Sequence, residues 1–141
     1  MIRLTSLVVL AGAGLAGIAL TGPDARADDP AYSFKLDVPA AQAGQRTVVR
    51  LHVRPSTGYH MNKEFPTALT VTAPAGVAVE KPKQSGKDAV KLEEAGADFD
   101  VALTAAAAGQ KALHGELKFA VCSATSCDPK KQAFDVTVTV K

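Results

Sequence analysis

Four stretches of this chain alternate apolar and polar residues with a period of two, the pattern of strands with one buried face. TVVRLHVRP puts Val49, Leu51 and Val53 on one face and Arg50, His52 and Arg54 on the other. FDVALTA repeats the pattern with Phe99, Val101 and Leu103, and GELKFAV with Leu117, Phe119 and Val121. FDVTVTVK does so with Phe134, Val136, Val138 and Val140. Shorter candidates run from Phe34 to Val38, Leu69 to Ala73, Val77 to Glu80 and Ala89 to Leu92, and no window carries a helical stripe. Turn residues fall between the runs, at Ala43-Gly44-Gln45, Ser56-Thr57-Gly58, Pro74-Ala75-Gly76, Lys81-Pro82, Ala95-Gly96 and Ala108-Gly109. Seven or eight short strands at this spacing predict an all-β fold, an immunoglobulin-like sandwich of two antiparallel sheets.

The start of the chain bears on where such a domain works. Arg3 precedes an apolar run from Leu4 to Leu20, and Ala25-Arg26-Ala27 fits the small-x-small rule for signal peptidase. Residues 1–27 are therefore expected to be a signal peptide cut after Ala27. The alternative is a retained membrane anchor, because about 17 apolar residues is at the lower edge for spanning a bilayer. The Gly22-Pro23 break and the small residues favour cleavage. No cysteine stands directly after the run, so no lipid anchor is expected. Residues 28–141 then form one domain of 114 residues with a single core. Of the 16 basic and 14 acidic residues in the chain, Arg3, Arg26 and Asp24 lie in the leader, which leaves 14 and 13. A net charge near +1 gives no electrostatic case for nucleic acid or a membrane surface as partner. The expected location is periplasmic or otherwise exported, where disulfides form and persist.

Cys122 and Cys127 are the two cysteines of the chain, with four residues between them in FAVCSATSCDPKKQAF. An immunoglobulin-type pair lies far apart in sequence and joins the two sheets, whereas this pair closes a local loop. GELKFAV and FDVTVTVK flank it, so the two are expected to be neighbouring strands with the cysteines at one rim of the sandwich. Pro129 lacks an amide hydrogen and is expected to keep Asp128-Pro129 out of the ladder. Three readings of the pair stand open. As a staple it closes a six-residue ring, for which chain entropy gives only about 2 kcal/mol. As a metal site it needs further ligands, and the candidates are His52, His60, His114 and Met61, the His60-Met61 pair suiting Cu(I). As a redox pair it profits from the short loop, which keeps both thiols close after reduction. The small residues Ser123 to Ser126 leave room for another protein's thiol; Lys130 and Lys131 favour a nearby thiolate and Asp128 opposes it.

A second segment, PSTGYHMNKEFPTALTV, follows a strand with a run that looks exposed, carrying Tyr59, His60, Met61 and Phe65. These side chains are candidates for shielding the cysteine site. KPKQSGKDAVK, from Lys81 to Lys91, is rich in lysine and free of aromatic residues, and reads as a mobile, solvated connection.

The chain resembles the N-terminal periplasmic domain of the thiol:disulfide interchange protein DsbD. The likeness spans roughly Tyr32 to Val140 and rests on GYHMNKEFP followed by ALTVTAP, and above all on LKFAVCSATSCDPKKQAFDVTV. It implies an immunoglobulin-like sandwich whose cysteine pair passes electrons from a membrane-embedded carrier to periplasmic thioredoxin-fold proteins. On this chain the couple would be Cys122 and Cys127, with Cys127 forming the mixed disulfide and no cofactor required. The best-known members space their cysteines by five residues and shield them with an aromatic cap loop. The corresponding region here, Lys81 to Lys91, has no aromatic residue, and Tyr59 or Phe65 would have to shield the site from the other loop. The electron donor is expected to be a separate membrane protein.

The expectation is thus an exported thiol-disulfide exchange module. Small-molecule catalysis is not indicated, since paired carboxylates, a Ser/His/Asp order and a phosphate-cradling glycine loop are not evident. The alternative is a non-redox binding domain for a protein partner or copper, with a structural disulfide. A purely structural envelope protein is the third class.

Overall fold

The computed structural model describes residues 30–141. The expected signal peptide and its cleavage site lie outside the described residues, among which no helix is long and apolar enough to cross a membrane. The chain forms an immunoglobulin-like sandwich of two antiparallel sheets, with ten strands among the described residues. The first sheet contains β1 (Tyr32–Asp37), β2 (Arg46–Pro55), β5 (Val77–Val79), β7 (Lys91–Glu93) and β8 (Gly96–Ala105). Its order is β1-β2-β8, with β5 and β7 one after the other along the far side of β8. The second sheet contains β3 (His60–Met61), β4 (Ala68–Thr72), β6 (Lys83–Ser85), β9 (Gly109–Cys122) and β10 (Cys127–Val140). Its order is β10-β9-β4-β6, with β3 beside β4 on the same side of β9.

The alternation expected from the sequence decides which residues face inward. Val49, Leu51 and Val53 of β2 and Phe99, Val101 and Leu103 of β8 meet Leu117, Phe119 and Val121 of β9 and the four inward residues of β10 in one core. Phe99 and Phe119 are fully buried, and Tyr32 meets Phe119 edge-on at 4.9 Å between ring centroids. On the outer face of the first sheet, cross-strand ion pairs replace packing: Arg50 grips Asp100 with two bonds of 2.6 and 2.8 Å. After the bends at residues 106–108, β9 opens at Gly109 with a φ of 128°, a conformation that side chains with a Cβ rarely adopt.

Three expectations need correction. The segment from Lys81 to Lys91 is built into both sheets, as β6, a 3₁₀ turn at Gly86–Asp88, and β7. Gln84 holds it there: its buried side-chain amide donates to the carbonyl of Asp100 at 2.8 Å. Met61 is 1% exposed and belongs to the core, because β3 pairs with β9 and alternation turns His60 outward and Met61 inward. Pro129 stands within the β9–β10 register opposite Ala120. This is tolerated because β10 is an edge strand, where a residue without an N–H can face the open side.

Candidate functional site

The site is the tip of the β9–β10 hairpin. Both strands are 14 residues long and pair in register from Gly109↔Val140 to Cys122↔Cys127. On β9 the inward residues are Leu113, Leu117, Phe119 and Val121, so Cys122 projects on the outer face; on β10 Phe134, Val136, Val138 and Val140 point inward, so Cys127 does the same. The disulfide therefore lies on the outside of the second sheet, at its end.

The loop Ser123 to Ser126 has its own hydrogen bonds. The Ser123 amide donates to the Ser126 carbonyl at 2.7 Å, and the Ser123 hydroxyl accepts from the amides of Thr125 and Ser126 at 3.3 and 3.2 Å. Since Ser123 and Ser126 are a hydrogen-bonded pair, the alternation of an antiparallel ladder makes Cys122 and Cys127 a non-hydrogen-bonded one, where the strands approach most closely. Their Cα atoms are 3.9 Å apart and their Sγ atoms are joined at 1.97 Å. The same alternation turns the nitrogen of Pro129 to the open edge. At the far end of β10 that edge is occupied, because the Ala41 amide donates to the Thr139 carbonyl and the Lys141 amide to the Ala41 carbonyl, each at 2.9 Å.

The two half-cystines differ in surroundings. Cys122 lies on an inner strand, with Cys127 opposite it on one side and His60 of β3 opposite it on the other, and it is 4% exposed. Cys127 opens an edge strand and is exposed, as are Ala124, Thr125, Ser126, Asp128 and Pro129 around it. The outer face thus carries a row of three residues in the order His60, Cys122, Cys127.

Of the four aromatic and sulfur side chains expected near the pair, the structure brings His60 to it. Tyr59, partly buried, packs against the core, and its amide closes the turn at Ser56 with a 2.9 Å bond. That turn reverses at Gly58, with φ of 87°. Met61 is in the core on the opposite face of β3 from His60. Phe65 lines a groove of about 400 Å³ with Lys63, Pro66, Lys87 and Leu92.

The remaining histidines lie elsewhere. His52 holds Asp98 through Nδ1 at 2.7 Å and Asp37 through Nε2 at 2.8 Å. The His52 contact, with Lys35 second, holds the Asp37 carboxyl below its ordinary range. His114 pairs with Asp135 across the β9–β10 ladder. Among the described residues no group of three or more His, Cys, Asp or Glu side chains is placed to hold a metal ion.

The sequence left the Ser123 hydroxyl and the pairing of His60 with Cys122 unremarked. The first has a local signal, a serine two and three residues before the amides it accepts from; the second is a non-local register with none.

No family model and no curated protein matches the sequence. Solved structures with a related chain trace include domains 4 and 5 of the S-layer protein SbsC, at 15% identity, TM-score 0.40, covering 77% of this chain and 50% of that one. A second is AggA of Escherichia coli, the major subunit of aggregative adherence fimbriae type I, at 9% identity, TM-score 0.39, with coverages of 78% and 94%. A third is a PapD-like domain of human CEP192, at 10% identity, TM-score 0.36, with coverages of 93% and 96%. The chain spans about half the length of the S-layer fragment it matches.

Proposed function

We propose that this protein is an exported thiol-disulfide exchange module related to the N-terminal domain of DsbD. Cys122 and Cys127 would pass electrons between a separate membrane carrier and periplasmic thioredoxin-fold proteins. The observation that carries this reading is the unequal exposure of a disulfide on the outside of the sheet. Cys127 is open to a visiting thiol, while Cys122 is covered but directly adjacent. The ladder also argues against a purely structural bridge, since 14 backbone pairs already set the register of β9 and β10 and a ring of six residues adds only about 2 kcal/mol.

The chemistry follows from the asymmetry. In delivery, the Cys127 thiolate attacks a partner's disulfide and displaces one partner thiolate; the Cys122 thiolate then attacks Cys127 Sγ, re-forming the bridge and releasing the second partner thiolate. The partner gains two electrons, and the Cys122–Cys127 dithiol is oxidised. The cycle needs no cofactor, and export keeps it in a compartment where disulfides persist.

Single-cysteine variants test it. C122S leaves Cys127 and C127S leaves Cys122; each is mixed with a thioredoxin-fold protein whose accessible active-site thiol has been activated as an aromatic disulfide. The expected result is a mixed disulfide accumulating rapidly on C122S and slowly on C127S. Equal rates, or the reverse order, contradict the proposal.

A further inference from the structure

Two of the three histidines of the chain are held by carboxylates, His52 by Asp37 and Asp98, and His114 by Asp135. His60 is exposed, and among the described residues its imidazole has no hydrogen-bond or ion-pair partner. Its backbone is pinned, however: β3 sets His60 directly opposite Cys122, and the Met61 amide fastens the strand to the carbonyl of Glu94 at 2.9 Å. Directly opposed residues on one face have Cβ atoms roughly 4.5–5.5 Å apart, within reach of an imidazole.

We infer that His60 is a positioning residue for exchange, stabilising the sulfur of Cys122 as a thiolate each time the disulfide opens at Cys127. This rests on the exchange reading given above. In the reducing half of the cycle, one thiolate of a donor dithiol attacks Cys127 Sγ and the Cys122–Cys127 bond breaks. The bonding pair leaves on Cys122 Sγ, opposite His60. The donor's second thiolate then attacks the donor sulfur in the mixed disulfide, which closes the donor's disulfide and frees Cys127. Two electrons pass to the pair, and the two donor protons end on the new thiols or in solvent. A leaving thiol whose thiolate is stabilised departs faster, and the same stabilisation favours the reduced form.

The other charged groups around this row are less well placed to act on Cys122. Asp128 and Lys130 project from the inward side of β10, and Lys118 and Lys131 stand opposite each other four residues down the hairpin, roughly 13 Å along the strands. Lys63 and Glu64 follow β3 in its outgoing loop, and the hairpin loop itself carries no charge.

The test uses H60Q, H60N and H60K. In the C127S background, the thiolate absorbance of Cys122 near neutral pH is expected to fall in H60Q and H60N and to be restored by the lysine cation of H60K. With both cysteines present, H60Q is expected to be reduced by dithiothreitol about tenfold more slowly. Its equilibrium with glutathione should shift about tenfold towards the disulfide, equivalent to about 30 mV. Unchanged thiolate titration and reduction rates in H60Q and H60N overturn the role of His60 while leaving exchange standing. A wild-type bridge that resists dithiothreitol until the protein unfolds overturns both.

Discussion

Gly115 lies in the middle of β9, directly opposite Phe134 of β10, and the phenyl ring lies over it. A Cβ at this position would stand 2.1 Å from Phe134 Cζ and 2.6 and 2.7 Å from the two Cε atoms, distances no carbon pair tolerates. The ring cannot retreat easily, because it is 4% exposed and rests against Phe34 at 5.6 Å between centroids. Gly115→Ala must therefore drive Phe134 off its rotamer or part of the way out of the core. Overpacking of this kind costs about 1–3 kcal/mol. Against it stands the entropy that alanine removes from the unfolded chain and its better strand preference, about 0.5–1 kcal/mol. Gly115 does not have a positive φ, so backbone strain does not enter. The net loss is about 1–2 kcal/mol, a fall in Tm of about 4–8 °C for a domain of this size. Urea and thermal unfolding of the domain, followed as a two-state transition, measure it. Combining Gly115→Ala with Phe134→Leu should recover about 1 kcal/mol relative to the sum of the two single effects. A Gly115→Ala variant as stable as the wild type would refute the packing of β9 against β10 described here.

Two further perturbations probe other parts of the structure. Met61→Ala should destabilise the domain by about 2–5 kcal/mol, as expected of a fully buried side chain, whereas a surface methionine would cost almost nothing in the same urea titration. Asp88 is held down to about 2, first by Lys81 and then by the Ser85 amide, which donates to its carboxylate at 2.8 Å. A carboxyl depressed in the folded state stabilises it above the ordinary carboxylate range and loses that contribution as pH falls from about 4 through about 2. The Ser85 amide proton shift should therefore titrate with a midpoint near 2, and the step should vanish in Asp88→Asn.

The long strands were legible in the sequence because their alternation is local. Val49 to Val53, Phe99 to Leu103, Leu117 to Val121 and Phe134 to Val140 each declare an inward face without reference to any partner. The short strands were not. His60–Met61 and Lys83–Ser85 have too few residues to show a period, and they are strands only because β9 and β4 offer them an edge. For the same reason Met61 read as exposed and Lys81 to Lys91 as a free connection; burial of Gln84 depends on the carbonyl of Asp100, 16 residues away. The cysteine pair could be placed at a rim from its flanking strands, but its outward face and the unequal cover of its two sulfurs depend on the register of three strands. Pro129 misled because a proline excludes itself from a central strand and not from an edge.

The central claim is that the Cys122–Cys127 bridge opens and closes while the sandwich stays folded. It is tested most directly by equilibrating the protein in graded mixtures of reduced and oxidised glutathione, counting free thiols by alkylation and following tertiary structure in parallel by near-ultraviolet circular dichroism. The account predicts two thiols appearing together at a potential above roughly −300 mV, with the folded signal retained throughout. Thiols that appear only together with loss of that signal would contradict it.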